Sequence, residues 1–118
     1  KIFVRNSIEV VQEHLKELSR QEILDFDAVV ASDDGLAVGA VKYVRSKNLR
    51  IPEDVSIIGY NNSELSVCCE PELSSIDSKG KELCETAVDY MMHYLSGHPI
   101  RHKKMVPCQL IRRDTTDF

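Results

Sequence analysis

An α/β fold built on a parallel sheet is predicted by three features of the stretch from Asp27 to Asn62, DAVVASDDGLAVGAVKYVRSKNLRIPEDVSIIGYNN. Two short, apolar, β-branched runs occur, at Ala28–Ala31 and Val55–Ile58. A helical pattern lies between them. Each apolar run ends in a polar cluster, Ser32-Asp33-Asp34 after the first and Gly59-Tyr60-Asn61-Asn62 after the second. Near-continuous apolar runs suit strands buried on both faces of a parallel sheet. A right-handed crossover then brings both polar ends out side by side. Ligands of open α/β sheets bind at that carboxyl edge, which makes Asp33, Asn61 and their neighbours a candidate site.

The other elements follow in chain order. Lys1 to Arg5 reads as the end of a strand, at Ile2, or a connecting loop. Asn6 with Glu9 makes a capping-box pattern. Ile8, Val11, Leu15 and Leu18 recur at helical spacing behind it, which predicts a helix over 7–19; a short turn is expected over 21–24. After the first strand, Asp34 is expected to cap the central helix. Leu36, Ala37, Ala40, Val41 and Val44 are its expected buried face, small enough at Ala37, Gly39 and Ala40 for close approach to the sheet. Asn48 suits the left-handed position that ends a helix, and Pro52 helps to define the turn into the next strand. Residues 62–75 read as a loop punctuated by Pro71, and Ser74-Ser75-Ile76 as a short strand. The longest helix is expected over 79–96, stopped by Gly97 and Pro99. Leu83, Ala87, Val88, Met91, Met92 and Leu95 give it a broad apolar face. A closing strand is expected over 105–111, with Val106, Cys108 and Leu110 on one side.

Composition sets limits on function. The chain has 118 residues, 42% hydrophobic and 29% charged, the size of one ordinary domain or part of one. No apolar run approaches the ~20 residues of a membrane span, so no membrane partner is expected. The net charge is −4, and the one dense basic cluster is Arg101-His102-Lys103-Lys104. Nucleic-acid surfaces are rich in Lys and Arg, so these residues are not expected to bind DNA by themselves. Cys68, Cys69, Cys84 and Cys108 show no C-x-x-C spacing. Four thiols without a disulfide framework fit a reducing, cytoplasmic setting. His93, His98 and His102 with Cys84 match no usual ligand spacing, so neither a metal nor another cofactor is expected. The chain begins at Lys1 without Met, and a fragment of a longer protein is expected.

The ordered set of motifs resembles a known family. It runs through Ala31-Ser32-Asp33-Asp34-Gly35-Leu36-Ala37-Val38-Gly39-Ala40, then Pro52-Glu53-Asp54-Val55-Ser56-Ile57-Ile58-Gly59-Tyr60, then Pro71-Glu72-Leu73-Ser74-Ser75-Ile76. It ends with Leu110-Ile111-Arg112-Arg113-Asp114-Thr115-Thr116. These segments resemble the effector-binding domain of the lactose-repressor family of bacterial transcription regulators. That resemblance implies a periplasmic-binding-protein-like (type I) fold of two α/β lobes, of which this chain is the C-terminal part. It implies that residues 1–78 belong to the C-terminal lobe. Residues 79–104 would pack on an N-terminal lobe outside this chain, and residues 105–118 would form the closing strand and tail. It further implies a homodimer, with DNA bound only through a separate N-terminal helix-turn-helix. The effector would be a small molecule of the sugar or nucleobase class.

Carried over residue by residue, the resemblance gives Asp33 a ligand-contacting position where relatives often have Asn. Asn61 stands where relatives usually have Asp. One carboxylate and one amide are thereby kept with their places exchanged, although ionised Asp only accepts hydrogen bonds whereas Asn does both. Tyr60 is placed to stack on a ring. Ser78 stands where relatives carry Gln, so its reach is shorter, and Gly80 stands where some place an aromatic ring. Val38, expected on the exposed side of the central helix, and Cys69, in the loop before Pro71, correspond to the family's dimer surface.

Enzymatic readings fail on spacing. A phospho-receiver domain needs an acceptor Asp after a later strand, whereas Asp54 precedes its strand. An aspartate-nucleophile phosphatase needs carboxylates one residue apart, whereas Asp33 and Asp34 are adjacent. Phosphate loop, nucleophile elbow and H-E-x-x-H motifs are all absent from the sequence. No catalytic residue is therefore expected. The nearest alternative is the sugar-binding protein of a transport system, which shares the fold; the cysteines and the ending Arg112-Arg113-Asp114-Thr115 favour a regulator.

Overall fold

The computed structural model of the chain describes residues 26–99 and 103–118, with Glu13 the only described residue before them. The expected strand at Ile2, the helix over 7–19 and the turn over 21–24 therefore fall outside the described residues. The elements are β1 (Ala28–Val30), α1 (Asp34–Ser46), β2 (Ser56–Tyr60), α2 (Leu65–Cys68), β3 (Ser74–Asp77), α3 (Gly80–Leu95) and β4 (Gln109–Ile111). Their strands form one sheet in the order β1-β2-β3-β4. β1, β2 and β3 run parallel, and β4 closes the sheet antiparallel to β3. The sheet is thus mixed, with the parallel part carrying the carboxyl edge.

β2 alternates half-buried and buried residues, with Ile57 and Gly59 turned inward. The sequence suggested burial on both faces. Among the described residues the inner face packs on α1, and the other is only half covered. Ala37, Ala40, Val41, Tyr43 and Val44 of α1 meet Val55, Ile57 and Leu73 in the core. Tyr43 is a core member that the helical stripe read from sequence omitted. A Cβ on Gly59 would lie 2.2 Å from Asp34 Oδ1 and 2.8 Å from Leu73 Cδ2, so only Gly admits this closeness of helix and sheet.

α1 ends as its sequence suggests. Lys47 is the C-cap and Asn48 follows with φ 58°, the left-handed position. Its start differs. Asp33 is the N-cap and accepts the Gly35 N–H at 2.7 Å, whereas Asp34 is already helical and 1% exposed. Val38 also differs: it is 8% exposed rather than on an open side of the helix. The reason is that α1 is buried round most of its circumference, which leaves only a strip through Lys42 and Arg45 to solvent.

Two further departures concern the C-terminal half. The segment expected as a loop contains the short helix α2, and only Gln109–Ile111 of the expected 105–111 run pairs as strand. Beyond β4 the tail is stitched to the sheet by its hydroxyls. Thr115 Oγ1 donates to the Ile57 carbonyl at 2.6 Å and accepts the Ser74 N–H at 2.8 Å. Ser74 and Thr116 hydroxyls meet at 2.7 Å.

α3 has the extent expected, with Gly97 at φ 73° ending it. No residue of α3 is buried. Leu83, Val88, Met91, Met92, Tyr94 and Leu95 are each 50–71% exposed. The radius of gyration is 18.0 Å, against about 13–14 Å for a compact domain of this length.

Candidate functional site

The site is assembled by register. β1 pairs with β2 such that Val30 faces Ile58, and β2 with β3 such that Tyr60 faces Ile76. Continued past the strand ends, those offsets set Asp33 beside Asn61, and Asn62 beside Ser78. Parallel strands therefore deliver the expected residues to one edge, from three segments distant in sequence.

Asp33 and Asn61 do meet there: Asn61 Nδ2 lies 3.5 Å from Asp33 Oδ2. Asp33 divides its oxygens, with Oδ1 capping α1 and Oδ2 turned to Asn61. The long amide contact leaves both groups capable of further hydrogen bonds. Asn61 is exposed and Asp33 half-buried, so a solute can reach the pair. Together they offer one carboxylate oxygen that accepts and one amide that both donates and accepts.

Tyr60 precedes Asn61, but its hydroxyl is directed to Cys108, 3.8 Å from Sγ. The hydrogen bond to Cys108, with that thiol's charge when ionised, raises the phenol above its ordinary range. Ser78 is half-buried just beyond β3, next to Lys79 at φ 52°. An open crease beyond it is lined by Asp77, Lys79, Gly80, Lys81, Glu82 and Glu85, and includes neither Asp33 nor Asn61. Cys69 is half-buried, with its thiol donating to the Pro71 carbonyl at 3.3 Å, and burial pushes that thiol up.

The ground beneath the site was not read from the sequence. Asp34, expected as a cap, is a buried acceptor. Its Oδ2 takes the Ser63 N–H at 2.6 Å and the Ser63 hydroxyl at 2.8 Å, and its Oδ1 takes the Ser75 hydroxyl at 2.6 Å. A signal did exist: Ser74 and Ser75 fill a buried strand, and buried hydroxyls demand partners. Arg113 was also missed as an individual residue. Its guanidinium donates to the Leu73 carbonyl at 2.8 Å and to Asn62 Oδ1 at 2.7 Å. Among the described residues, no cluster of three or more His, Cys, Asp or Glu could hold a metal ion, and no helix is long and apolar enough to cross a membrane.

Comparison with known proteins agrees with this fold. The family model described as a periplasmic binding protein-like domain matches residues 4–116. An HTH-type transcriptional regulator of Lachnoclostridium phytofermentans is 45% identical over 95 residues, which are 80% of this chain and 28% of that protein. The lactose operon repressor of Escherichia coli K12 is 30% identical over 89 residues, 75% of this chain and 25% of the repressor. The chain thus spans about a quarter of the length of these relatives. A LacI family transcriptional regulator of Arthrobacter sp. FB24, solved in complex with lactose, superposes with a TM-score of 0.85 at 26% identity, over 98% of this chain and 44% of that one. The fold, the matched span and the relatives agree: this chain belongs to the periplasmic binding protein-like domain family, among the effector domains of lactose-repressor-type bacterial transcriptional regulators.

Proposed function

We propose that this chain is the ligand-sensing and dimerisation part of a cytoplasmic transcriptional regulator. It would bind a small polyhydroxylated or purine-like effector between two lobes and so change operator affinity. The observation that carries this reading is the approach of Asp33 and Asn61 at the carboxyl edge. A carboxylate beside an amide suits ligand hydroxyls or ring nitrogens, which both donate and accept. Similarity to a regulator solved with lactose supports the sugar class. Ser78 and Tyr60 flank the pair, with Ser78 reaching the effector through water. No catalytic role is assigned. An effector acts only through its different affinities for the two conformations of the regulator.

α3 supports the two-lobe reading. Its unburied apolar side chains expose an area on the order of several hundred Å², larger than stray surface residues usually make. Covering such a face is worth roughly 10 kcal/mol at ~25 cal/mol per Å². Residues 79–104 would supply that helix to the second lobe, while residues 1–78 and 105–118 would make the C-terminal lobe. The homodimer surface would include Cys69 and the nearby exposed Leu65 and Val67, with Val38 taking part only from its buried position on α1. DNA would be contacted through a helix-turn-helix outside this chain.

The test is a thermal-shift screen of the full-length protein against sugars, sugar phosphates and purines. A ligand of the native state raises the melting temperature. Asp33→Ser is the informative variant, because Ser still caps α1 while removing the carboxylate. A hit lost in Asp33→Ser and in Asn61→Ala supports the proposal; a hit that both variants retain refutes the site.

A further inference from the structure

Asn61 and Asn62 both have positive φ, 90° and 48°, a region that most L-residues avoid and Asn tolerates. Three groups hold the turn in place. The Asn61 N–H donates to the Ile76 carbonyl at 2.9 Å, which continues the β2–β3 ladder. The Asn62 N–H donates to Ser75 Oγ at 3.0 Å, and that hydroxyl donates in turn to buried Asp34. The Asn62 side-chain oxygen accepts from Arg113 at 2.7 Å.

Arg113 is itself fixed. Its other terminal nitrogen holds the Leu73 carbonyl at 2.8 Å, its backbone N–H donates to Ser74 Oγ at 2.8 Å, and Glu72 lies 3.8 Å from Nε. Its side chain is only 15% exposed. A planar fork that bridges two oxygens at once is a geometry that lysine cannot reproduce. Arg113 also stands two residues beyond β4, the strand that returns from the segment after α3.

We propose that Arg113 is a positioning residue for effector recognition: it clamps the Asn61–Asn62 turn, against the Asp34 anchor, so that the Asn61 amide faces Asp33, and it ties that turn to β4. A shift of β4 then reaches the ligand-contacting amide through a single guanidinium. This rests on the ligand reading above for the role of Asn61, but the clamp can be measured without any effector.

The experiment is amide hydrogen exchange on the full-length protein, read on peptides covering residues 61–66, the core of α1 and β2. In Arg113→Met, exchange at residues 61–66 is expected to rise at least tenfold, with the α1 and β2 peptides unchanged. Arg113→Lys should behave like Arg113→Met, and it is read in the same way if the Met variant does not fold. The double variant Arg113→Met with Asn62→Ala should exchange no faster than the faster single variant, because each already breaks the shared Arg113–Asn62 bond. The clamp is overturned if the turn is unaltered, if α1 and β2 accelerate equally with it, or if the two substitutions add. An altered turn together with a flat ligand screen leaves the clamp standing and overturns the effector reading alone.

Discussion

The buried carboxylate of Asp34 gives the sharpest stability test. Asp34→Ala removes an acceptor from three hydrogen bonds of 2.6–2.8 Å, in a residue 1% exposed. A hydrogen bond to a charged group contributes about 1.5–3 kcal/mol, so the simple sum overshoots. Ser63 is exposed and regains water, whereas Ser75 is 0% exposed and keeps an unsatisfied hydroxyl. The net loss is therefore about 3–4 kcal/mol, a large part of the ~5–15 kcal/mol typical of a domain. Asp34→Asn should cost only about 1 kcal/mol. Its oxygen can serve both Ser63 donors, and its NH2 can donate to Ser75 once that hydroxyl turns. Urea unfolding is the assay, with an Ala-variant midpoint lower by roughly 2 M at unchanged slope. The same void predicts coupling. Gly59→Ala puts a Cβ 2.2 Å from Asp34 Oδ1 in the native chain, and should be better tolerated once that oxygen is gone. A loss below about 1 kcal/mol for Asp34→Ala, or an Asn variant as unstable as the Ala variant, would refute the reasoning.

Three further outcomes are expected. Asp54 is held down to about 2 by hydrogen bonds from the Arg50 side chain and backbone; its stabilisation is present above the ordinary value of 3.8 and is lost as pH falls through about 2. A carboxyl NMR titration of Arg50→Ala should return Asp54 towards 3.8, and no movement would exclude the ion pair as the cause. Timed alkylation should modify exposed Cys68, Cys84 and Cys108 before half-buried Cys69, read by peptide mass; early labelling of Cys69 would contradict its inward hydrogen bonds. The isolated chain should self-associate through α3 by light scattering, and Met91→Lys with Leu95→Lys should return it to monomer, while a wild-type monomer that binds no apolar dye would remove the argument from α3.

By itself the sequence determined the parallel strand–helix–strand unit, the ends of α1 and α3 at Asn48 and Gly97, and the family. These are local properties: apolar period, turn residues and motif spacing are written in neighbouring positions. It also indicated that Asp33 and Asn61 share an edge, because a right-handed crossover between parallel strands permits little else. Tertiary structure alone decided which of the two adjacent aspartates caps α1. Asp33 and Asp34 are equally good caps as residue types, and the choice is made by Ser63 and Ser75, which meet Asp34 only once β2 and β3 lie beside the helix. It likewise decided that Val38 is buried, since helical period says which side a residue is on but not how many sides are covered. The antiparallel return of β4 depends on pairing across more than thirty residues and the reach of Arg113 to Asn62 on a hydrogen bond across more than fifty, separations at which no local pattern carries information.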